Sequence, residues 1–364
     1  MRVLVVNAGS SSVKLRLLDA ADAVERSADL RAGTGGFSVS GLAGALRGWP
    51  EPDVIGHRIV HGGTAFTGPV RIDRAVRQQL HDLTALAPLH QPKSLAALDT
   101  VSAHLPGVPA VACFDTAFHT TIPPAAATYA IPREWRRRYP IRRYGFHGLS
   151  HAYCSRRAAE LLGQPVASLR IITCHLGAGA SLAAVLGGRS VDTTMGFTPL
   201  EGLVMATRSG TVDPGLVLWL EEHEHLSPHD VATALEQRSG LTALAGTPDM
   251  RQVEAAAGRG EPDARLALDV YTHRLAAGIA AMAAATGGID VLTFTGGVGE
   301  NSATVRRRAA ERVAFLGVAI DTARNGTARP DRDITAAGTA VQTLVISARE
   351  DLQIAREARQ LLRR

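Results

Sequence analysis

Three stretches of the chain follow one plan, a β-branched apolar run that ends abruptly in glycine, small hydroxyl residues or both. They are Arg2-Val-Leu-Val-Val-Asn-Ala-Gly-Ser-Ser-Ser, Ile171-Ile-Thr-Cys-His-Leu-Gly-Ala-Gly-Ala-Ser and Val291-Leu-Thr-Phe-Thr-Gly-Gly-Val-Gly-Glu-Asn. A strand entering a turn without bulky side chains exposes several backbone N–H groups to whatever occupies the turn, and phosphate oxygens are the usual occupant. Three such turns in one chain suggest a nucleotide clamp.

The first two copies are each followed by a second apolar run, at 13–18 and 182–185, so each reads as a β-hairpin around a small-residue turn. Further strands are expected at 109–114, 291–294 and 341–346. Helical spacing appears at 71–87, 94–104, 217–224, 264–285 and 350–362, the fourth of these stopped by Gly287-Gly288. At 364 residues the chain exceeds a usual single core and favours two domains. No low-complexity linker separates the halves, so the expectation is a packed cleft between two similar α/β lobes.

Composition narrows the function. With 46% hydrophobic and 20% charged residues the chain reads as an ordinary soluble globular protein. The first apolar run is only Val3 to Val6 before Asn7, and no stretch of about 18 apolar residues occurs, so no membrane partner and a cytoplasmic location are expected. Cys113, Cys154 and Cys174 have no CxxC spacing and fit reduced, buried thiols. The net charge of +5 is small for this length, and the dense basic run Arg136-Arg-Arg sits in a surface-like segment, which disfavours nucleic acid. Lys14 and Lys93 are the only lysines, so arginine does nearly all the cationic work.

The common nucleotide signatures are missing. No GxxxxGK(S/T) occurs, and Gly177-x-Gly179 is followed by Leu182 where a dinucleotide fingerprint needs glycine or alanine. His57/His61 and His147/His151 have the spacing of a helical zinc pair, but Ile59-Val60 and the flanking glycines argue against helix, and HExxH is absent. Asp115 ends a buried strand, where an unpaired carboxylate is costly, so it should meet an arginine or a metal.

Taken together the motifs resemble the acetate and propionate kinase family of the actin and hexokinase superfamily. The resemblance covers nearly the whole chain through VNAGSSSVK (6–14), GHRIVHGG (56–63), APLHQP (87–92), FDTAFH (114–119), RRYGFHGLSH (142–151), TCHLGAGAS (173–181), DTTMGFTPLEGLVMATRSG (192–210) and FTGGVGENS (294–302). It implies an α/β fold of two duplicated actin/hexokinase-like, ribonuclease H-like lobes with an interdomain cleft. The first lobe would be 1–116 plus the C-terminal helix 352–364, and the second, carrying nucleotide and dimer contacts, 117–351.

The implied activity is an ATP-dependent kinase, a phosphotransferase with a carboxyl acceptor, that reversibly converts acetate to acetyl phosphate and ADP by direct in-line transfer. A carboxylate is already deprotonated at pH 7, so no general base is needed. By the resemblance, Arg58 and Arg208 face the transferring phosphoryl group and the carboxylate, His147 hydrogen-bonds the phosphoryl oxygens, and Asp115 orients the acceptor site. Planar, permanently charged guanidinium forks suit both anions. Val60, Leu89, Phe146 and Pro199 match the small acyl pocket. Asn7, Ser10, Ser12 and Lys14 match the first phosphate hairpin, and His175, Gly177 and Gly179 the second, with His90 and His175 lining the same cleft. Gly297, Val298, Gly299 and Asn301, with Asp249, Met250 and Arg251, match the adenosine side. Glu350 and Asn7 would hold Mg²⁺, or Mn²⁺ in its place, and a homodimer is implied.

The chain departs from the family pattern at Ala178, where a side-chain donor to phosphate is expected, at Ala348-Arg349, where the family has Thr-Asn, and at His90-Gln91-Pro92. Loss of one such donor costs roughly 10²- to 10³-fold in rate. Three alternatives follow: propionate or another short-chain carboxylate as substrate, since one methylene changes discrimination by only about 1 to 3 kcal/mol; a weakly active nucleotide-binding regulatory relative; and a dehydrogenase using the glycine-rich turns.

Overall fold

The computed structural model describes residues 1–9, 12–31, 39–87 and 91–363, so the expected site residues Ser10, Leu89 and His90 lie outside the described residues. The chain forms two compact units. The first comprises Met1–Thr120, Phe146–Tyr153 and Arg349–Arg364, the second Thr121–Gly145 and Cys154–Ala348.

The sheet of the first unit contains β1 (Val3–Ala8), β2 (Ser12–Leu18), β3 (Val24–Arg31), β4 (Val54–Ile59), β5 (Val70–Arg71) and β6 (Ala110–Phe114), in the order β3-β2-β1-β4-β6-β5. β1, β2 and β3 pair antiparallel, β4 and β6 continue parallel to β1, and β5 closes the edge antiparallel to β6. Side chains alternate between two buried faces, as a period-2 strand requires. Leu4, Val6 and Ile55 pack on Ala97 and Val101 of the helix Gln91–His104, while Val3, Val5 and Val54 pack on Ile354 and Ala358 of the helix Glu350–Leu362. The end of the chain thus completes the core that its beginning starts.

The second unit repeats this plan strand for strand. Its strands are β7 (Arg170–Leu176), β8 (Ala180–Leu186), β9 (Arg189–Thr193), β10 (Val291–Thr295), β11 (Arg332–Asp333) and β12 (Gln342–Val345), in the order β11-β12-β10-β7-β8-β9. The pairing directions match as well, with an antiparallel meander, two parallel additions and an antiparallel edge strand. The duplication expected from the two hairpins therefore extends to all six strands. The long helix Pro262–Thr286 has proline in its first turn and Gly287 in the left-handed conformation at its end, the punctuation that its sequence suggests.

One helix is shorter than its periodicity suggests. The pattern over 71–87 yields an α-helix only at Arg74–Asp82, followed by a 3₁₀ turn at Leu83–Leu86, because Arg71 pairs into β5 and Asp73 caps the helix by accepting the Val76 N–H at 2.8 Å. The basic run lies on the short helix Arg133–Arg138, which buries none of its residues. All three cysteines are buried free thiols.

Candidate functional site

In the first unit the site grows from the ends of β1, β4 and β6. Because β4 and β6 are parallel with Ile59 opposite Phe114, the chain emerges from both strands at the same edge, and the Asp115 N–H donates to the Ile59 carbonyl at 3.0 Å. Arg58 then grips the Asp115 carboxylate with a fork: Nε lies 3.0 and 3.1 Å from the two oxygens, and Nη2 lies 2.5 Å from Oδ2. Burial opposes the Arg58 charge, but Asp115 and Glu350 outweigh it and hold the guanidinium above its ordinary pKa. Burial raises the Asp115 carboxyl, Arg58 opposes this and Glu350 adds to it, leaving the group above the usual carboxylate range. Of the two partners that the buried-strand argument allowed for Asp115, an arginine or a metal, the arginine is present as Arg58.

Two further links extend the pair. Arg58 Nη1 lies 3.4 Å from Asn7 Oδ1, and Asn7 Nδ2 donates to Glu350 Oε2 at 2.7 Å. Glu350 opens the helix Glu350–Leu362, where a carboxylate also suits the helix dipole. Four residues far apart in sequence, Asp115, Arg58, Asn7 and Glu350, so form one hydrogen-bonded row. Asp115 also accepts the His147 backbone N–H, and its carbonyl accepts the Gly148 N–H at 2.8 Å. That double hold explains how His147 keeps φ at 55°, a left-handed conformation costing a non-glycine residue roughly 1 to 3 kcal/mol.

The apolar members expected in this unit, Val60 and Phe146, are both buried. Phe146 meets the His61 ring edge-on at 5.6 Å, and its carbonyl accepts from His119 Nε2 at 3.0 Å. On the hairpin, Ser12 opens β2 and the exposed Lys14 pairs opposite Asn7. Arg349 is turned onto its own helix, with Nη2 2.9 Å from Asp351 Oδ2.

In the second unit the β7–β8 turn carries His175, Gly177 and Gly179, with the Gly177 N–H bonded to the Gly179 carbonyl at 2.9 Å. A pocket of about 590 Å³ gathers Gly177 and Ala178 from this turn, Asp249, Met250 and Arg251 from the start of one helix, and Gly297, Val298 and Asn301 from another. Asp249 caps the helix Met250–Gly258 through the Arg251 N–H at 2.9 Å and pairs with the exposed Arg251 guanidinium at 2.6 Å. Gly296, where β10 turns into the helix Gly296–Asn301, has φ of 79°, and a Cβ there would sit 2.7 Å from the Leu176 carbonyl. Only glycine permits this approach of one small-residue turn to the other. The buried Gly299 packs beneath the same turn, whereas Gly297 faces open space.

Arg208 and Pro199 share a loop of this unit, where Arg208 Nη1 lies 3.4 Å from the Pro199 carbonyl. Burial lowers the Arg208 pKa against the pull of Glu236. Sequence reasoning missed the residues that shape this loop. Glu201 accepts from Tyr129 Oη at 2.5 Å and from Arg143 Nη2 at 2.6 Å, while Arg143 Nη1 reaches the carbonyls of Thr193, Thr194 and Met195. Tyr129 Oη in turn accepts the Phe197 N–H at 2.9 Å. All except Tyr129 stood inside the quoted motifs, but partners 58 and 72 positions apart leave no local signal.

The family model of the Acetokinase family matches residues 48–356. An acetate kinase of Gloeobacter violaceus is 51% identical over 316 residues, covering 86% of this chain and 78% of that protein. Among solved structures, the acetate kinase of Porphyromonas gingivalis superposes with a TM-score of 0.90 at 35% identity, covering 99% of both chains. A propionate kinase from Francisella tularensis gives 0.91 at 35% identity with the same coverage. The duplicated α/β lobes are thus those of the actin/hexokinase-like plan expected from the sequence. With its sequence motifs, its paired six-stranded sheets and its family match over most of its length in agreement, the chain belongs to the acetokinase family.

Proposed function

We propose that the chain is an ATP-dependent carboxylate kinase that phosphorylates acetate reversibly. The observation that carries this reading is the 590 Å³ pocket, which collects three separate chain segments expected to contact nucleotide. A carboxylate oxygen of acetate attacks the γ-phosphorus of ATP in line, the bond from that phosphorus to the β,γ-bridging oxygen breaks, and ADP leaves. No proton moves and no phosphoenzyme forms.

The protein contributes position and charge. Arg58 stays cationic because Asp115 and Glu350 hold it so, and Asp115 aims its fork. Arg208 and His147 share the neutralisation of the equatorial phosphoryl oxygens. Val60 and Phe146, with Leu89 and Pro199, bound the methyl group. The hairpin residues Asn7, Ser10, Ser12 and Lys14 and the turn residues His175, Gly177 and Gly179 take the phosphates. Asp249, Met250, Arg251, Gly297, Val298, Gly299 and Asn301 take the adenosine.

Glu350 and Asn7, joined by the 2.7 Å bond from Asn7 Nδ2 to Glu350 Oε2, offer one carboxylate and one amide oxygen, a donor set that fits a hard cation taking most of its shell from phosphates and water. Among the described residues no group of three His, Cys, Asp or Glu side chains is placed to cage a metal. Asn7 and Glu350 would therefore hold Mg²⁺, or Mn²⁺ with the same donors, and the ion when bound would neutralise nucleotide phosphate charge. A homodimer is supported by the helix Pro214–Glu222, which buries none of its residues and exposes Leu216, Leu218 and Trp219. No helix among the described residues is long and apolar enough to cross a membrane; a cytoplasmic location is proposed with the ATP-dependent activity, since ATP is the cosubstrate.

Propionate is the second reading, favoured by the equal structural likeness to a propionate kinase. Acyl phosphate formation, trapped as hydroxamate with ATP, Mg²⁺ and acetate, propionate or butyrate in parallel, ranks the acids. Turnover that collapses in Arg208→Ala supports the kinase. ATP binding without turnover on any acid would sink it and favour the regulatory relative marked by Ala178.

A further inference from the structure

Glu300 sits at the far end of the helix Gly296–Asn301 and does not line the pocket, yet one of its oxygens serves two distant backbone groups. Oε1 accepts the N–H of Gly296 at 3.1 Å and the N–H of Ala348 at 2.9 Å. Gly296 opens the turn that presents Gly297 and Val298 to the pocket. Ala348 lies in the irregular segment 346–349 and stands two residues before Glu350. Bonds from N–H groups to an ionised carboxylate are roughly twice as strong as neutral ones, so this oxygen is a firm junction.

The surroundings fix both ends of the junction. Buried Arg306 locks the backbone of Glu300 by donating Nη1 to the Gly299 and Glu300 carbonyls, each at 2.8 Å, and is itself held by Asn325 at 2.7 Å. On the other side, Ser347 N–H donates to Asp331 Oδ1 at 3.0 Å, and Arg157 holds the other Asp331 oxygen at 2.7 Å. Ile346 N–H completes the set by bonding to the Phe294 carbonyl at 2.9 Å. Three successive amides leading toward Glu350 are thus each pinned, and only the Ala348 pin reaches the glycine turn.

We infer that Glu300 is a positioning residue that ties the nucleotide turn to the segment delivering Glu350, so that a nucleotide ordering Gly296 and Gly297 also orders the chain before the metal-holding carboxylate. The inference rests on the proposed roles of Gly297 and Glu350. It requires no contact between Glu300 and any ligand. A helix-stabilising role alone would lower stability without linking the two segments.

Amide hydrogen exchange on the full chain, with and without ADP and Mg²⁺, separates these cases. In the unaltered protein and in Glu300→Gln, which keeps an acceptor oxygen, ADP should slow exchange in both 292–298 and 343–349. In Glu300→Ala the slowing should persist in 292–298 and vanish in 343–349, and half-saturation by Mg²⁺ should rise about tenfold while the KM for acetate stays unchanged. Retained slowing at 343–349 in Glu300→Ala overturns the inference, as does equal loss in both segments. An unaltered protein in which ADP slows neither segment overturns the nucleotide reading itself, and the inference falls with it.

Discussion

Arg58 and Asp115 form a buried two-pronged ion pair whose side chains are only 13% and 2% exposed. Removing one partner from such a pair leaves the other charge uncompensated, which costs about 3 to 5 kcal/mol. Asp115→Ala should therefore lower the unfolding free energy by that amount in urea titrations. Arg58→Ala should lower kcat by about 10³ to 10⁵ in the hydroxamate assay, and Arg58→Lys should recover little because a point charge cannot hold both oxygens. Near-normal turnover in Arg58→Lys would show that the fork is dispensable.

Acid should destabilise the first unit through its buried histidines. Burial depresses the pKa of His57 from the ordinary 6.5 to about 3, with Asp99 opposing, and depresses His61 and His119 to about 4. A depressed folded pKa means that the unfolded chain binds more protons, so the contribution is complete above pH 6.5 and is lost as pH falls toward the folded values. At most, His61 and His119 each contribute about 3 kcal/mol and His57 about 5 kcal/mol. Urea midpoints measured from pH 7.5 to 5 should fall, and His57→Leu should flatten the slope, since His57 Nε2 has no hydrogen-bond partner among the described residues. An unchanged slope would exclude His57 as a source.

The face of the helix Pro214–Glu222 should be the contact between two copies. Leu218 is 55% and Trp219 46% exposed, large apolar groups of the kind that carry interface energy. Sedimentation velocity should show a dimer for the unaltered chain and a monomer for Leu218→Arg or Trp219→Asp. A dimer that survives both changes would move the interface elsewhere.

The Tyr129–Glu201–Arg143 network should govern the acyl side. A Cβ at Gly196 would overlap Glu201 Oε2 and Tyr129 Oη, so Gly196→Ala must break the network or displace the loop bearing Pro199. Tyr129→Phe is milder, leaving a half-buried carboxylate oxygen and the Phe197 N–H without their partner at a cost of about 1 kcal/mol. Both variants should raise the KM for acetate more than that for ATP. Equal effects on the two KM values would make the network a general scaffold.

Local signals were enough to read the duplicated strands, because an apolar run of β-branched residues ending in glycine carries its meaning in about ten neighbouring positions. Two hairpins, the closing helix and the long helix capped by Gly287 were legible in this way. The short helix at Arg74–Asp82 was not, because tertiary pairing of Arg71 with β6 removed its first turn from the helical pattern.

By itself the sequence determined the strand–turn units, the family membership that the ordered motifs announce, and the demand that Asp115 find a cation. Which cation answers that demand, how Asn7 links it to Glu350 and why Glu300 serves two amides were decided only by the tertiary structure. Those partners lie 57, 343, 4 and 48 positions apart, and all but one of the links close loops far longer than any sequence window. Such pairings are selected by the packing of parallel strands and by the cost of leaving buried charge unmatched, neither of which is a property of neighbouring residues.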